Sequence, residues 1–176
     1  MDFKPHITKA ITLMVVALLF LSFKASYWEF DKESRETVYN SIAKIFNSST
    51  CNVERIDDTF YSISEHDSII GYLSVTDVPS KFHQFDYYIL FDQKAEILKV
   101  EILHYRENYG AEICNKKWLK QFVGLSIPID SYAKYNRMVD GISGATLSVN
   151  NLKKDVFRLS KLLKKEITEK KMILSI

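Results

Sequence analysis

The sequence is poor in the residues that define several classes of protein. Its 176 residues contain only 5 Gly, 3 Pro and 2 Cys, which excludes collagen-like, low-complexity and disulfide-rich chains. The formal net charge is only +2 and no nucleic-acid-binding motif is present, so we expect no DNA or RNA partner. The apolar fraction of 47% excludes a disordered chain, and the charged fraction of 26% excludes a polytopic membrane protein.

The chain also lacks any pattern of catalytic or metal-ligating residues. The four histidines are scattered: His6, His66, His83 and His104. Their spacing is not that of zinc ligands, and no arrangement of nucleophile, histidine and acid is recognisable. We therefore predict no metal site and no catalytic residues. The cysteines Cys51 and Cys114 leave two alternatives open, which are one disulfide outside the cytoplasm or two separate thiols.

The first 26 residues differ in composition from the rest of the chain. An apolar run from Ala10 to Phe23 follows Lys4 and Lys9, and Lys24 closes it. Its 14 residues have the length of the apolar region of a secretion signal. Extending the run towards the N-terminus brings it to about 17 residues, the lower limit for a bilayer span. The run therefore predicts either a signal anchor or a cleaved signal peptide, with a buried core helix as the third alternative.

The residues after this run favour the anchor. Cleavage after Ala25 or Ser26 would leave Phe23 or Lys24 at the −3 position, where a small residue is expected. The lysines before the run favour a cytoplasmic N-terminus. We therefore expect an anchor in the bacterial inner (cytoplasmic) membrane over residues 1–26, with residues 27–176 facing the periplasm or cell exterior. The alternative is secretion to the periplasm after signal cleavage.

The remaining residues, 27–176, have the patterns of one α+β domain. Apolar spacing predicts helices over Asp31–Phe46, Cys114–Phe122 and about Ser148–Glu169. Strand patterns lie between the first two helices, at Val53–Ile56, Phe60–Ile63, Ile69–Val75, Tyr87–Phe91 and Leu98–Ile102. Because these strands follow one another without a helix between them, we predict a mostly antiparallel sheet with flanking helices.

The segment Asp140-Gly-Ile-Ser-Gly-Ala-Thr146 comes directly before the last predicted helix. Its glycines permit tight backbone geometry, and its small residues leave room for a bulky group to approach. A helix N-terminus stabilises a phosphate, since its N–H groups are free and its partial charge is positive. Two interpretations are open from the residues alone. The segment is either a phosphate site that contains a hydroxyl, or a tight loop whose Ser or Thr only caps the helix.

This segment resembles the Asp-x-x-(Ser/Thr)-Gly-Ala-Thr flavinylation motif of the FMN-binding domain family, and every specified position is filled. The family includes the flavin subunits of the Rnf complex and of the sodium-translocating NADH:quinone reductase. In that family a flavin transferase uses FAD to attach FMN to the last Thr through a phosphoester. The resemblance implies covalent FMN on Thr146, with Ala145, Gly144, Ser143 and Asp140 completing the motif.

A second stretch, from His104 to Gly124, is similar to a family segment in which Glu and Gly precede a helix that ends Gln-Phe-x-Gly. It departs from the family at Asn108, where Thr is usual. The resemblance implies that Glu107 and Gly110 line the flavin pocket, while a polar loop after a strand is the alternative. The tyrosines that could stack on the flavin ring are Tyr105, Tyr109 and Tyr132 or Tyr135.

The function that the resemblance implies is electron transfer outside the cytoplasm. The chain would relay electrons between membrane or periplasmic redox partners, as a carrier or a subunit of an oxidoreductase complex rather than as a stand-alone enzyme. Its partners would be a flavin transferase with FAD as the FMN donor, a redox protein and the membrane. Two alternatives stay open. One is a membrane-anchored regulatory domain that senses FMN or another ligand without a covalent bond, and the other is a structural envelope protein.

Overall fold

The computed structural model describes residues 31–125 and 131–173, with side chains through residue 169. The predicted anchor over residues 1–26 lies outside this part, and none of the described helices is long and apolar enough to cross a membrane. The chain divides into two compact units, residues 1–35 and 36–176. In the first unit the Asp31 carboxylate accepts hydrogen bonds from the Ser34 N–H at 3.0 Å and from the Ser34 hydroxyl at 2.8 Å. These bonds satisfy donors of the first helical turn.

Five strands form one antiparallel sheet in which each strand pairs with its neighbours in the sequence. Helix α1 (Lys32–Phe46) precedes the sheet. The strands are β1 (Asn52–Arg55), β2 (Tyr61–Glu65), β3 (Ser68–Pro79), β4 (Gln84–Asp92) and β5 (Ile97–His104). The prediction of an α+β fold with an antiparallel sheet is confirmed, and each predicted strand overlaps an observed one.

Short helices and one long helix follow the sheet. They are a 3-10 turn at Ala111–Cys114, α2 (Lys116–Leu119), a 3-10 turn at Lys120–Phe122, α3 (Tyr132–Met138) and α4 (Thr146–Ile173). The single helix predicted over Cys114–Phe122 is wrong in detail, because Asn115 is extended and its side chain accepts a hydrogen bond from the Lys117 N–H at 2.8 Å. This side-chain cap ends one turn and begins the next.

Strand β4 is the centre of the core and is buried on both faces. Its side chains from Tyr87 to Phe91 have no exposed surface, which confirms the prediction from their continuous apolar run. The Tyr87 hydroxyl donates to Asp155 of α4 at 2.6 Å. The Tyr88 hydroxyl points the other way and lies 2.7 Å from the hydroxyl of Ser41 in α1. Helix α4 therefore covers one face of the sheet and α1 the other.

The two cysteines are free thiols. Cys51 precedes β1 and Cys114 follows β5, and these two strands form opposite edges of the five-stranded sheet. Neighbouring strands lie about 4.8 Å apart, so the opposite edges of a five-stranded sheet are several such spacings apart. A disulfide needs Cα atoms within about 7 Å. The fold therefore decides between the two alternatives in favour of separate thiols. Burial raises the pKa of the Cys114 thiol above its ordinary value.

Candidate functional site

The predicted motif forms the loop between α3 and α4, and a tight turn in it shapes the approach to α4. The Ala145 N–H donates to the Ile142 carbonyl at 3.2 Å. At the third position of this turn Gly144 has a φ of 82°. A residue with a side chain pays a steric cost in this left-handed conformation, so the glycine of the motif is required by the turn itself.

The beginning of α4 has no side-chain cap from the motif. The carbonyl of Ala145 accepts the first helical hydrogen bond, from the Val149 N–H at 2.9 Å, which makes Ala145 the N-cap residue. Its methyl group cannot accept a hydrogen bond. The interpretation in which Thr146 or Ser143 only caps the helix is therefore wrong. The first-turn N–H groups stay available to a ligand, and the helix dipole favours an anion there.

The polar side chains of the motif face solvent. Thr146, Ser143 and Asp140 are all exposed, and neither hydroxyl makes a hydrogen bond within the part of the chain that the structure describes. The helix begins at Thr146, two residues earlier than predicted. The hydroxyl of Thr146 therefore lies on the first residue of α4, beside the free N–H groups.

Two side chains from α2 and the 3-10 turn after it, together called the α2 region, form hydrogen bonds to the backbone at the start of this loop. The Trp118 indole N–H donates to the Asp140 carbonyl at 3.1 Å, and the Gln121 side-chain oxygen accepts from the Asp140 N–H at 2.9 Å. Both backbone polar groups of Asp140 are thus satisfied within the protein, while its side chain is exposed. Trp118 and Gln121 lie within the stretch from His104 to Gly124 that is similar to the family, but no sequence pattern indicated this role.

A cavity of about 530 Å³ opens beside the loop. Asp140 and Ile142 line one side, and Trp118, Gln121 and Lys117 line the other. The volume lies in the range of small-molecule and cofactor sites. Of the motif, Asp140 and Ile142 are the residues that this cavity contacts.

Gly110 packs directly under the motif loop. It has a φ of 80°, and a Cβ atom at this position would lie 2.8 Å from the Ala145 Cβ and 3.0 Å from the Tyr105 hydroxyl oxygen. Both distances are too short for a side chain to be accommodated without movement. The structure therefore brings Gly110 next to the motif, and its lack of a side chain allows the loop to approach. Its predicted place in the lining of a flavin pocket stays a prediction.

Glu107 lies on the same side of the molecule but binds a different loop. One carboxylate oxygen accepts hydrogen bonds from the Phe82 N–H at 2.7 Å and the His83 N–H at 3.0 Å, in the turn between β3 and β4. These backbone hydrogen bonds hold the pKa of Glu107 below its ordinary value. The carboxylate is therefore ionised at neutral pH and holds the β3–β4 turn.

Hydrogen bonds also connect the β3–β4 turn to the N-terminal part of α4. The hydroxyl oxygens of Ser80 and Ser148 are 2.5 Å apart, and that of Ser148 is 3.1 Å from the Tyr105 hydroxyl. Nearby, the Asn151 side chain donates to the Pro79 carbonyl at 2.8 Å. These contacts join residues far apart in the sequence, and no sequence pattern indicated them.

Residues 84–159 match the model of the FMN-binding domain family. This segment belongs to that family. The match begins in β4 and ends in α4, so it contains Glu107, Gly110 and the whole motif. It supports a flavin-binding protein with FMN as its ligand. No curated protein matches the chain significantly.

The residues of the FMN-binding domain fit the group that its family binds. The uncapped first turn of α4 can bind a phosphate, and Thr146 carries a free hydroxyl at that position. Gly110 places no side chain against Ala145, and a cavity of about 530 Å³ lies beside Asp140 and Ile142 of the motif. The donor set, the close approach and the volume are therefore all consistent with FMN.

The aromatic residues near the motif differ in how accessible their rings are to a flavin. Tyr135 is fully buried, and the Tyr105 hydroxyl is occupied by the Tyr109 carbonyl at 3.0 Å and by Ser148. Tyr109 is 83% exposed and Phe82 is 71% exposed. Of the tyrosines that the sequence offered, Tyr109 has the most accessible ring, while Phe82 was missed.

Proposed function

We propose that this chain is an extracytoplasmic electron-transfer flavoprotein that carries FMN on Thr146 through a phosphoester. The observation that carries the proposal is the Thr146 hydroxyl. It is exposed, it makes no hydrogen bond to the described residues, and it stands on the first residue of α4 at the end of a complete flavinylation motif. The alternative of non-covalent ligand sensing does not explain why the motif is complete.

Attachment through the phosphate leaves the flavin ring free, and the bound flavin supplies electron transfer in steps of one or two electrons. In the attachment reaction the Thr146 oxygen bonds to the phosphorus of the FMN half of FAD. The pyrophosphate bond breaks, AMP leaves and the hydroxyl proton is lost. The chain itself supplies the acceptor hydroxyl, the first turn of α4 that stabilises the remaining phosphate charge, and the cavity beside Asp140.

The decisive experiment is production of the protein together with a flavin transferase, followed by denaturation and intact-mass measurement. Covalent FMN predicts a yellow colour that survives denaturation and an added mass of FMN less water. Colour that is lost on denaturation would favour the sensing domain. A colourless protein would favour a structural envelope role.

The proposed location gives a separate prediction. A reporter that works only outside the cytoplasm is expected to be active when it is fused after Ile176, because the lysines before the apolar run favour a cytoplasmic N-terminus. The matched control is a reporter that works only inside the cytoplasm, fused at the same position. Activity of the cytoplasmic reporter alone would reject the proposed topology. It would also remove the access to a periplasmic transferase and redox partner.

A further prediction concerns Glu107. Glu107→Ala is expected to lower the flavin yield or shift the flavin midpoint potential without unfolding the domain, because it frees the β3–β4 turn that contacts the first turn of α4. The depressed pKa means that this contribution is present at neutral pH and is lost as the pH falls through the folded-state pKa. Flavin content and redox titration measure the effect.

Glu107→Gln is the matched variant, since it keeps an oxygen acceptor and removes the charge. We expect it to fall between the wild type and Glu107→Ala. Unchanged flavin content and midpoint potential in both variants would show that Glu107 is only a polar residue of the loop.

A further inference from the structure

A second cavity, of about 680 Å³, lies between α1, β5 and the α2 region. It is separated from the cavity beside the motif by α2. Lys116 and Leu119 line this second cavity, whereas Lys117 and Trp118 line the first. We call the second cavity the lysine groove, because its lining includes four lysines and a single acid. Nothing in the proposed flavin chemistry uses this groove.

Two lining residues of the lysine groove, Lys99 and Glu101, belong to a closed polar ring whose charges are already paired. The Lys99 ammonium donates to the Ser41 hydroxyl at 2.7 Å and lies 2.7 Å from a Glu101 carboxylate oxygen. The same oxygen accepts from the Tyr88 hydroxyl at 2.5 Å, and Tyr88 contacts Ser41. Burial opposes ionisation of Glu101, but the hydrogen bonds from Lys99 and Tyr88 outweigh it and its pKa lies below the ordinary value. Glu101 is therefore an anion that neutralises Lys99.

The rim of the groove has positive charge that this ring does not neutralise. Lys116 lies 3.7 Å from the other carboxylate oxygen of Glu101, so this single carboxylate is shared between Lys99 and Lys116. Lys44 and Lys120 have no acidic partner within the described residues. A partly enclosed site with unpaired cations at its rim selects an anion over a neutral or cationic ligand.

The walls between the lysines are apolar. They are formed by Ile45, Leu98, Val100, Leu119 and Val123. Val123 is 45% exposed, so part of this wall faces solvent with no covering residue among those described. Sites for small molecules combine such apolar walls with a few fixed polar groups.

We propose that the lysine groove binds a free fatty carboxylate, with its head group on Lys44 and Lys120 and its hydrocarbon chain along the apolar wall. Three observations carry this assignment: the rim cations Lys44 and Lys120 without an acidic partner, the apolar residues of the wall, and a volume in the range of small-molecule sites. The flavin site is not part of the groove. Failure of this proposal would therefore leave the proposed electron-transfer function untouched.

The test is photo-crosslinking of the full chain in lipid nanodiscs with a diazirine-bearing octanoate, mapped by peptide mass spectrometry. We expect the label on peptides that contain Ile45, Leu98 or Val123. Octanoate should compete with the label, whereas octanol and octylammonium should not, since only octanoate pairs with the rim.

The variants separate the charge from the fold. The double variant Lys44→Gln/Lys120→Gln should weaken octanoate competition about tenfold, because two charge-assisted contacts are lost. Lys161→Gln, at an exposed position of α4, is the matched control and should leave competition unchanged. Flavin content and the unfolding midpoint should not change in either variant.

Several results would overturn the proposal. Equal competition by octanol would show that the rim lysines do not recognise a carboxylate. Equal competition by sulfate would show that the apolar wall has no part in binding. Protection of the groove by an acidic peptide but not by octanoate would identify a protein as the occupant, and labelling elsewhere in the chain would place the ligand outside the groove.

Discussion

Thr146→Ala is expected to abolish covalent FMN while the domain stays folded. A phosphoester needs a side-chain hydroxyl, and the motif contains only two, at Ser143 and Thr146. Because Ala145 is the N-cap residue and Thr146 is exposed, the substitution removes no helix cap. We expect the free energy of unfolding to change by less than about 0.5 kcal/mol. Intact mass after co-expression with a flavin transferase measures the loss of FMN.

Three matched variants test the assignment within the motif. Thr146→Ser keeps a hydroxyl and is expected to retain part of the labelling. Ser143→Ala leaves the acceptor in place, so the added mass should still be found. Asp140→Ala is expected to reduce labelling without changing the loop, because Trp118 and Gln121 hold only the backbone of Asp140. If Thr146→Ala still carries the added mass of one FMN, the attachment site is wrong.

Gly110→Ala is expected to cause the largest loss of stability among the substitutions near the site. An alanine here would have to adopt the left-handed φ of 80° that Gly110 has, at a cost of about 1–2 kcal/mol of stability. It would also lie 2.8 Å from the Ala145 Cβ, and such overpacking typically costs about 1–3 kcal/mol. Because Ala145 precedes Thr146, the displacement should also reduce FMN attachment. Denaturant unfolding and intact mass measure the two effects.

Gly141→Ala is the matched control, since it lies in the motif loop at a position the motif leaves unspecified. A Cβ atom there would have no neighbour within 4 Å, and Gly141 has no positive φ. We expect its unfolding midpoint and its FMN content to equal those of the wild type. An unfolding midpoint of Gly110→Ala that matches that of Gly141→Ala would show that the loop adapts to the extra methyl group.

The parts of the fold that the sequence predicted correctly are those with a local cause. Strand β4 was predicted because burial on both faces leaves a continuous apolar run from Tyr87 to Phe91. The helix predicted over Cys114–Phe122 was wrong because the apolar period of Trp118 and Phe122 says nothing about Asn115, whose side chain competes for the backbone. Helix α3 (Tyr132–Met138) has only seven residues, too few for a periodic pattern to be recognised.

The site likewise has a local part that the sequence predicts and a tertiary part that it does not. The motif loop is contiguous in sequence, so its residues could be named from the sequence and lie together in the structure. The hydrogen bonds that hold the loop in place are tertiary contacts. The contact between Ser80 and Ser148 joins residues 68 positions apart, and Trp118 reaches across 22 positions to Asp140. The sequence placed Glu107 near the flavin by resemblance, and only the structure reveals which backbone groups its carboxylate binds.

The order of the elements also has a consequence for how the molecule matures. Each strand pairs with the strand before it, so the sheet contains contacts of short sequence separation, which favour rapid folding. Helix α4, in contrast, is the last element of the described fold, and it both covers the sheet and carries Thr146. An emerging chain can therefore assemble its strands one after another. The Thr146 hydroxyl, which we propose as the acceptor of FMN, reaches its place only once this C-terminal helix has docked. A flavin transferase that requires the folded loop would therefore act on folded chains and not on chains still being synthesised.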